Sequence, residues 1–145
     1  MAIYSDKSST TEQVSIVTRK KSFSDLDMSL TKHPIRKDIT PLKDDNAVKN
    51  AVKNLILTNF FERPFQHDKG ANLRGLLFEP ADPFTRFELE SQIKEVLNLY
   101  EPRIEATSVS VRDDARNNLW RVSISYIIKG INIQSNVNLP LRRLR

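Results

Sequence analysis

Apolar positions along the chain follow two different periods, and the period changes at Pro102. Before this proline, apolar residues recur three and four positions apart, which is typical of amphipathic helices. After it, apolar and polar residues alternate, which is typical of half-buried strands. Helices followed by strands predict an α+β fold, with N-terminal helices packed on one face of a C-terminal antiparallel β-meander in a single domain.

A first helix is predicted near residue 44, where Asp44 or Asp45 can cap its start. One face of this helix is apolar and carries Val48, Ala51, Val52, Leu55 and Ile56. Pro64 cannot continue a helix, so the helix ends within residues 60–65. Gly70 then permits a turn, and a short second helix is predicted from Leu73, Leu76 and Leu77, closed by Glu79 and Pro80.

A longer helix is predicted to start at Asp82 and Pro83, because an aspartate can cap the helix and a proline fits its first position. Its predicted apolar stripe consists of Phe84, Phe87, Leu89, Ile93, Val96, Leu97 and Tyr100. On the opposite, solvated face we expect Glu90 to pair with Lys94, since the two are four residues apart. Pro102 ends this helix.

Three strands are predicted after Pro102. Val109 and Val111 alternate with polar residues in the first, and residues 113–118 form a turn. The second is long, with Trp120, Val122, Ile124, Tyr126 and Ile128 on one face. Lys129 and Gly130 turn the chain into the third strand, whose apolar residues are Ile131, Ile133, Val137 and Leu139.

The N-terminal part of the chain has a different composition. Residues 1–21 are rich in Ser, Thr, Lys and Gln and can bury little apolar surface, so we predict a flexible arm there and a single domain over residues 22–145. Phe23, Leu26 and Met28 predict a short extended segment. Residues 31–41 predict a loop, because the residue before each of its prolines is disfavoured in a helix.

Charge is unevenly distributed along the 145 residues. The chain has 23 Lys and Arg against 18 Asp and Glu, a net charge of +5, and all of the excess lies in residues 119–145, which contain no acid. The basic tail after Pro140 has no aromatic residues interleaved with its cations, so it does not favour nucleic-acid binding. No apolar run approaches the ~20 residues that span a bilayer, and no signal peptide is apparent, so we expect a soluble, non-exported chain without a membrane partner.

Candidate catalytic chemistry is sparse. The chain has no cysteine, which excludes disulfides and cysteine-based metal sites. His33 and His67 are far apart in predicted loops, and the three glycines form no phosphate-binding loop. The glutamates of the long helix, Glu88, Glu90 and Glu95, are expected on its solvated face. We therefore predict no catalytic, cofactor-binding or metal-binding residues and no enzymatic activity.

Glu101, Pro102 and Arg103 break a local rule, because a glutamate at a helix C-terminus opposes the helix dipole. Pro102 holds the exit extended, so the two charged side chains point the same way. They can bind complementary charges of a partner bidentately. Alternatively, they form an internal ion pair that braces the junction between helix and sheet.

The last predicted strand allows two interpretations. If residues 131–139 lie at a sheet edge, their free backbone groups invite strand addition by another chain. Alternatively, the strand is covered or paired within the chain, and the basic residues after Pro140 only keep the protein soluble.

An ordered set of motifs resembles one known family. The set comprises Glu62, Arg63, Pro64 and Phe65, then Gly70, then residues 76–80, then the Glu-Pro-Arg motif and a β-meander. Together these resemble the baseplate wedge subunit of T-even-type contractile phage tails. This subunit is also called the sheath initiator, and type VI secretion baseplates have a counterpart. The resemblance covers roughly residues 22–140 in order and character.

The resemblance implies a structural function in the tail baseplate of a virion assembled in the host cytoplasm. Glu101, Pro102 and Arg103 would dock on a helical core bundle of neighbouring wedge proteins. The strands within residues 119–139 would template the first ring of tail sheath subunits by strand addition. About six copies are expected around the tail tube, which is a further contact. No cofactor and no nucleic acid is implied.

Two points qualify the resemblance. Phe61 stands where the family would have a glycine before Glu62, and the N-terminal arm differs. Some members of the family carry a lysozyme label, which makes peptidoglycan hydrolysis the alternative function. We expect no such activity, because no pair of acids has surroundings that would keep one protonated and the other ionised.

Overall fold

The structure, a computed structural model, describes residues 22–144, so the arm predicted over residues 1–21 lies outside the described part. The elements follow the predicted order of helices before a meander. They are β1 (Ser24–Leu26), β2 (Pro41–Lys43), α1 (Asp44–Leu57), α2 (Pro83–Tyr100), β3 (Ile104–Asp114), β4 (Leu119–Ile128) and β5 (Ile133–Arg142). None of the described helices is long and apolar enough to cross a membrane.

The main sheet is an antiparallel meander in the order β3-β4-β5, so β4 is central and the other two strands are edges. Ile124 on β4 lies opposite Val109 on one side and Val137 on the other. The pairing of β3 is interrupted by a bulge between Ala106 and Ser108, whereas the pairing of β5 is continuous. The predicted α+β class is confirmed.

The core lies between the two helices and one face of this sheet. Alternate residues of β4 are buried as the sequence predicts, namely Trp120, Val122, Ile124, Tyr126 and Ile128. The helices contribute Val48, Val52, Leu55 and Ile56 from α1 and Leu89, Ile93, Val96 and Leu97 from α2. The opposite face of the sheet is mostly polar, and its side chains are exposed or half-buried along all three strands.

The start of α2 is confirmed, but its predicted apolar stripe is partly wrong. The carboxylate of Asp82 accepts a hydrogen bond from the backbone N–H of Thr85 at 2.7 Å, with Pro83 at the first helical position. Phe84 and Phe87 are 70% and 67% exposed, and Thr85 is buried instead. The buried face runs through residues 85, 89, 93 and 96–97, a spacing that turns both phenylalanines away from the sheet.

Glu90 is not on a solvated face, and the predicted pair with Lys94 is wrong. Its carboxylate instead accepts a hydrogen bond from the backbone N–H of Val111 on β3, at 2.8 Å. This N–H lies on the side of β3 away from β4 and would otherwise lack a partner within the sheet.

The predicted cap of α1 is also wrong. Lys43 occupies the cap position without a side-chain hydrogen bond, and both aspartates lie in the first turn. Asp44 bonds the N-terminal segment instead: its N–H donates to the Phe23 carbonyl at 2.7 Å, and its carboxylate accepts from the Phe23 N–H at 3.2 Å. This anchor and the pairing of β1 with β2 place the N-terminal segment beside α1. β2 was not expected from the sequence, in which residues 31–41 predict a loop.

The predicted second helix is only one 3-10 turn, Leu76–Phe78. Leu76 is buried, and Leu77 packs against the core at its edge. The carbonyl of Leu77 accepts the backbone N–H of Leu144 at 3.2 Å. The turn therefore fixes the chain just after β5.

Candidate functional site

Glu101 and Arg103 form an ion pair with each other at the junction of α2 and β3. The two Glu101 carboxylate oxygens accept from Nε and Nη2 of Arg103, at 2.6 and 2.7 Å. Glu101 is only 6% exposed, and its N–H still completes the helix by donating to the Leu97 carbonyl. Of the two interpretations of the motif, the structure therefore contains the internal ion pair.

Arg103 offsets the unfavourable position of Glu101 at the helix end. Its hydrogen bonds to Glu101 raise the pKa of Arg103, while partial burial opposes the rise. The guanidinium also lies over the ring of Phe23, 5.6 Å from its centre. About a third of the Arg103 side chain stays exposed, so the motif keeps a surface for a partner.

The loop that carries the family motif, residues 58–72, is shaped by its polar side chains and by Gly70. The Glu62 carboxylate accepts from the backbone N–H and the side-chain amide of Asn59, at 2.8 and 2.7 Å, and these bonds lower the pKa of Glu62. A Cβ on Gly70 would lie 2.5 Å from the Thr58 carbonyl oxygen, so a side chain does not fit there. These contacts return the loop close to its starting point.

Two phenylalanines of this loop adopt the left-handed backbone region. Phe61 and Phe65 both have a φ of 65°, and Phe65 is 97% exposed. This conformation favours glycine. The glycine that the resemblance leads us to expect at position 61 would therefore fit this backbone without strain.

The loop and the Glu-Pro-Arg motif line one cleft of about 250 Å³. Its cations are Arg63, Lys69 and Arg103, and its acids are Asp25 and Glu101. Because Glu101 and Arg103 neutralise each other, the cleft keeps a positive excess that suits an acidic partner. Arg63 belongs to a family motif in the sequence, but its position in the same cleft as Arg103 depends on the path of the loop and could not be predicted from local patterns.

The outer edge of β5 is open in the described part of the chain, where no strand pairs with it on the side away from β4. The N–H of Arg143 donates to the Asn118 carbonyl, in line with the β4–β5 register, so odd-numbered residues face β4. The backbone groups of Gln134, Asn136 and Asn138 therefore point outward. Pro140 shares their orientation, so it removes no bond to β4 and limits the row of outward N–H donors.

The apolar residues predicted for the template strand do not lie along its open edge. Val137 and Leu139 are buried in the core, Ile133 is 39% exposed at the strand start, and Ile131 lies in the preceding turn. Val137 and Leu139 pack β5 against the core, while the even-numbered residues that alternate with them direct their backbone N–H and C=O groups to the open edge. The position of Pro140 was the sequence signal that could have identified the outward residues, because a proline in a strand needs an unpaired side.

The basic excess is partly neutralised within the fold. Arg121 pairs with Asp114 at 2.6 Å, and Arg143 pairs with Asp113 and lies over the Trp120 ring. Arg142 is exposed and has no ion pair among the described residues. The acids of β3 thus compensate charge from the C-terminal segment.

His33 and several of the acids make local hydrogen bonds. Nδ1 of His33 accepts from the backbone N–H groups of Ile35 and Arg36, both at 3.2 Å, which closes a turn. The resolved carboxyl pKa shifts among residues 22–144 are all downward, for Asp27, Asp45, Glu62, Asp82 and Asp114. A general acid needs the opposite shift. No cluster of three or more potential metal ligands occurs in the described part.

Comparisons with known proteins agree on one family. The sequence model of the family described as baseplate wedge protein gp25 matches residues 43–132, which run from the start of α1 to the turn before β5. The baseplate wedge protein gp25 of Enterobacteria phage T4 is 33% identical over 91 residues, covering 63% of this chain and 68% of the T4 protein.

Solved structures show the same fold. A putative tail lysozyme from Geobacter sulfurreducens has a TM-score of 0.63 and 25% identity, covering 68% of this chain and 89% of its own. A chain in the baseplate of the anti-feeding prophage has a TM-score of 0.65 and 18% identity, and the match covers 77% of this chain and 88% of the prophage chain. A chain in the baseplate of postcontracted pyocin R2 has a TM-score of 0.58 and 19% identity, and the match covers 74% of this chain and 100% of the pyocin chain.

Proposed function

Because the chain belongs to the family of baseplate wedge protein gp25, we infer that it is a structural component of a contractile tail baseplate, located in the virion tail. Its partners are then other baseplate proteins. We propose two contact surfaces for them, the cleft beside Glu101 and Arg103 and the open edge of β5. About six copies around the tail tube remain part of the proposal.

The cleft is proposed to dock on the helical core bundle of neighbouring wedge proteins. Arg63 and Lys69 supply charge that Glu101 does not neutralise, and the Glu101–Arg103 pair holds the junction rigid beside them. Acidic side chains on a partner helix would satisfy these cations. The strained, exposed aromatic loop borders the same cleft through Lys69 and Tyr100.

Docking is tested by removing the cleft charge without touching the buried pair. The double variant Arg63→Gln/Lys69→Gln should reduce co-assembly with co-expressed wedge proteins at least about tenfold, measured by sedimentation. The matched control is Arg36→Gln/Lys37→Gln, which removes the same charge from an exposed loop. Equal assembly by both variants would contradict docking through the cleft.

Arg103→Ala is a less selective test of the same surface. It leaves the buried Glu101 carboxylate without its partner, so it lowers the free energy of unfolding by about 1–3 kcal/mol. Its assembly result is interpretable only after thermal unfolding shows a folded fraction equal to that of the wild type.

The open edge of β5 is proposed to template the first ring of sheath subunits. The observation that carries this proposal is the unbroken row of outward backbone groups from Gln134 to Asn138. An extended segment of a sheath subunit can pair with these groups as an added strand. The family match ends at residue 132, so this role is argued from the edge itself.

A proline substitution tests the template directly. Asn136→Pro removes an outward N–H and no bond to β4, and Pro140 shows that β5 accepts proline in this orientation. We expect baseplates with this variant to assemble but to nucleate no sheath, as seen by electron microscopy. Asn136→Ala, the control, should nucleate normally, and normal nucleation by the proline variant would refute the template.

The function proposed is not enzymatic, although one structural neighbour is described as a putative tail lysozyme. The carboxylates of Asp45 and Asp114 are held by ion pairs and hydrogen bonds that lower their pKa, the opposite of what a general acid needs. A clearing assay of purified protein on peptidoglycan should show no hydrolysis above buffer. Clearing that persists at high purity would establish the enzymatic alternative.

A further inference from the structure

A second cleft lies on the polar face of the sheet, opposite the helices. It crosses all three strands, has a volume of about 460 Å³, and is lined by side chains without an acid. Its polar lining consists of Ser110, Arg112, Arg121, Ser123 and Asn138, and Pro140 closes one side. Hydroxyl, amide and guanidinium donors therefore converge on a site that suits a carboxylate.

The two arginines of this cleft lie directly opposite each other. Arg112 on β3 and Arg121 on β4 are cross-strand partners, and like charges in this position destabilise a sheet. Asp114 compensates one of them, because its Oδ2 accepts from Nε and Nη2 of Arg121 at 2.8 and 2.6 Å. Arg112 has no ion pair among residues 22–144, so the cleft lacks one negative charge.

Arg142 adds a second uncompensated cation at the same corner. It lies opposite Leu119, two residue pairs beyond the Arg121–Pro140 pair and on the same face of the sheet, and its side chain is exposed. The wall of the cleft at this corner is β5 itself, through Asn138 and Pro140. A strand added to β5 would lie only about 4.8 Å from this wall.

We propose that the protein strand that adds to β5 carries an acidic side chain on this face, near Pro140, and that its carboxylate enters the cleft between Arg112 and Arg142. This inference rests on the proposed template role of β5. The carboxylate supplies the charge that Arg112 and Arg142 lack, and it orients the added strand because only one register places the acid beside the arginines. Ser123 and Asn138 can donate to the same group.

The proposal is tested with assembled baseplates and purified sheath subunits of the same tail. The rate of sheath nucleation is measured by light scattering from about 0.05 to 0.3 M NaCl, a range over which screening of surface charges increases strongly. For Arg112→Gln/Arg142→Gln we expect a rate about tenfold lower at low salt and a weaker dependence on salt. The control Arg86→Gln/Arg116→Gln removes equal charge from exposed sites outside the cleft and should behave like the wild type.

The results for the two sets of variants distinguish the acidic contact from the template role. If Asn136→Pro blocks nucleation while the Arg112/Arg142 variant keeps the wild-type rate and salt dependence, the acidic contact is refuted and the template remains. If Asn136→Pro nucleates normally, the template itself fails.

Discussion

The two edges of the main sheet differ in how they are protected, although both belong to the same meander. On β3, a bulge interrupts the pairing near Thr107, and the Glu90 carboxylate accepts the outward N–H of Val111. On β5, the pairing is continuous over its whole length, and no described element covers the outward groups. Edge strands invite pairing with other chains unless they are blocked.

The difference indicates that the fold restricts strand addition to one side. α2 packs against β3 and provides Glu90, whereas α1 packs on the inner face of β5 through the Asp45–Ser135 hydrogen bond and leaves its edge free. Pro140 then limits the length over which an added strand can accept hydrogen bonds from β5. The proposed template role needs this asymmetry, because pairing at both edges would build the wrong assembly.

The largest effect is expected from opening the protected edge. Glu90→Ala removes the acceptor of the Val111 N–H, so we expect the free energy of unfolding to fall by about 2 kcal/mol, measured by chemical denaturation. The freed edge should also cause concentration-dependent association, visible in sedimentation velocity.

The matched control for this substitution is Glu88→Ala on the same helix, whose carboxylate has no hydrogen bond or ion pair in the described part. It should change stability by less than about 0.5 kcal/mol and leave the protein monomeric. Equal behaviour of the two variants would show that Glu90 does not protect the edge.

A smaller effect is expected from repairing the bulge. Deleting Thr107 makes the β3 pairing continuous and keeps Ala106 and Val109 on the inner face. We expect a folded protein whose stability changes by less than about 1 kcal/mol and which associates weakly through β3. Thr107→Ala retains the bulge and should stay monomeric; association by both variants would point to another surface.

The smallest effect on stability is expected at low pH, from the hydrogen bond that joins Asp45 of α1 to Ser135 of β5. Burial raises the pKa of Asp45, but hydrogen bonds from Lys49 and Ser135 outweigh it and lower the pKa below 3.8. A carboxyl with a lowered folded pKa stabilises the protein above about pH 4, and this contribution is lost as the pH falls through the folded value. Asp45→Asn should therefore flatten the decline of stability between about pH 5 and pH 3. An unchanged decline in denaturation curves would show that Asp45 does not contribute.

Much of the fold follows from local sequence patterns. The alternation from Trp120 to Ile128 assigned the faces of β4, because side chains of a strand alternate regardless of what surrounds it. Asp82 and Pro83 predicted the start of α2, because capping depends on neighbouring residues only. The predicted residues of the Glu-Pro-Arg motif do lie at the junction of helix and sheet.

Tertiary structure decided the features that depend on what lies beside each element. α2 has apolar residues on two sides, and packing against β3 selected the side that excludes Phe84 and Phe87. Glu90 looked solvated in the sequence because the Val111 N–H comes from a strand 21 residues away. The sequence determined which residues alternate between the two faces of β5. Only the arrangement of the helices left the edge of β5 open and closed the edge of β3. The sequence alone could not show this, because an edge is protected by contacts between residues that are distant in the chain.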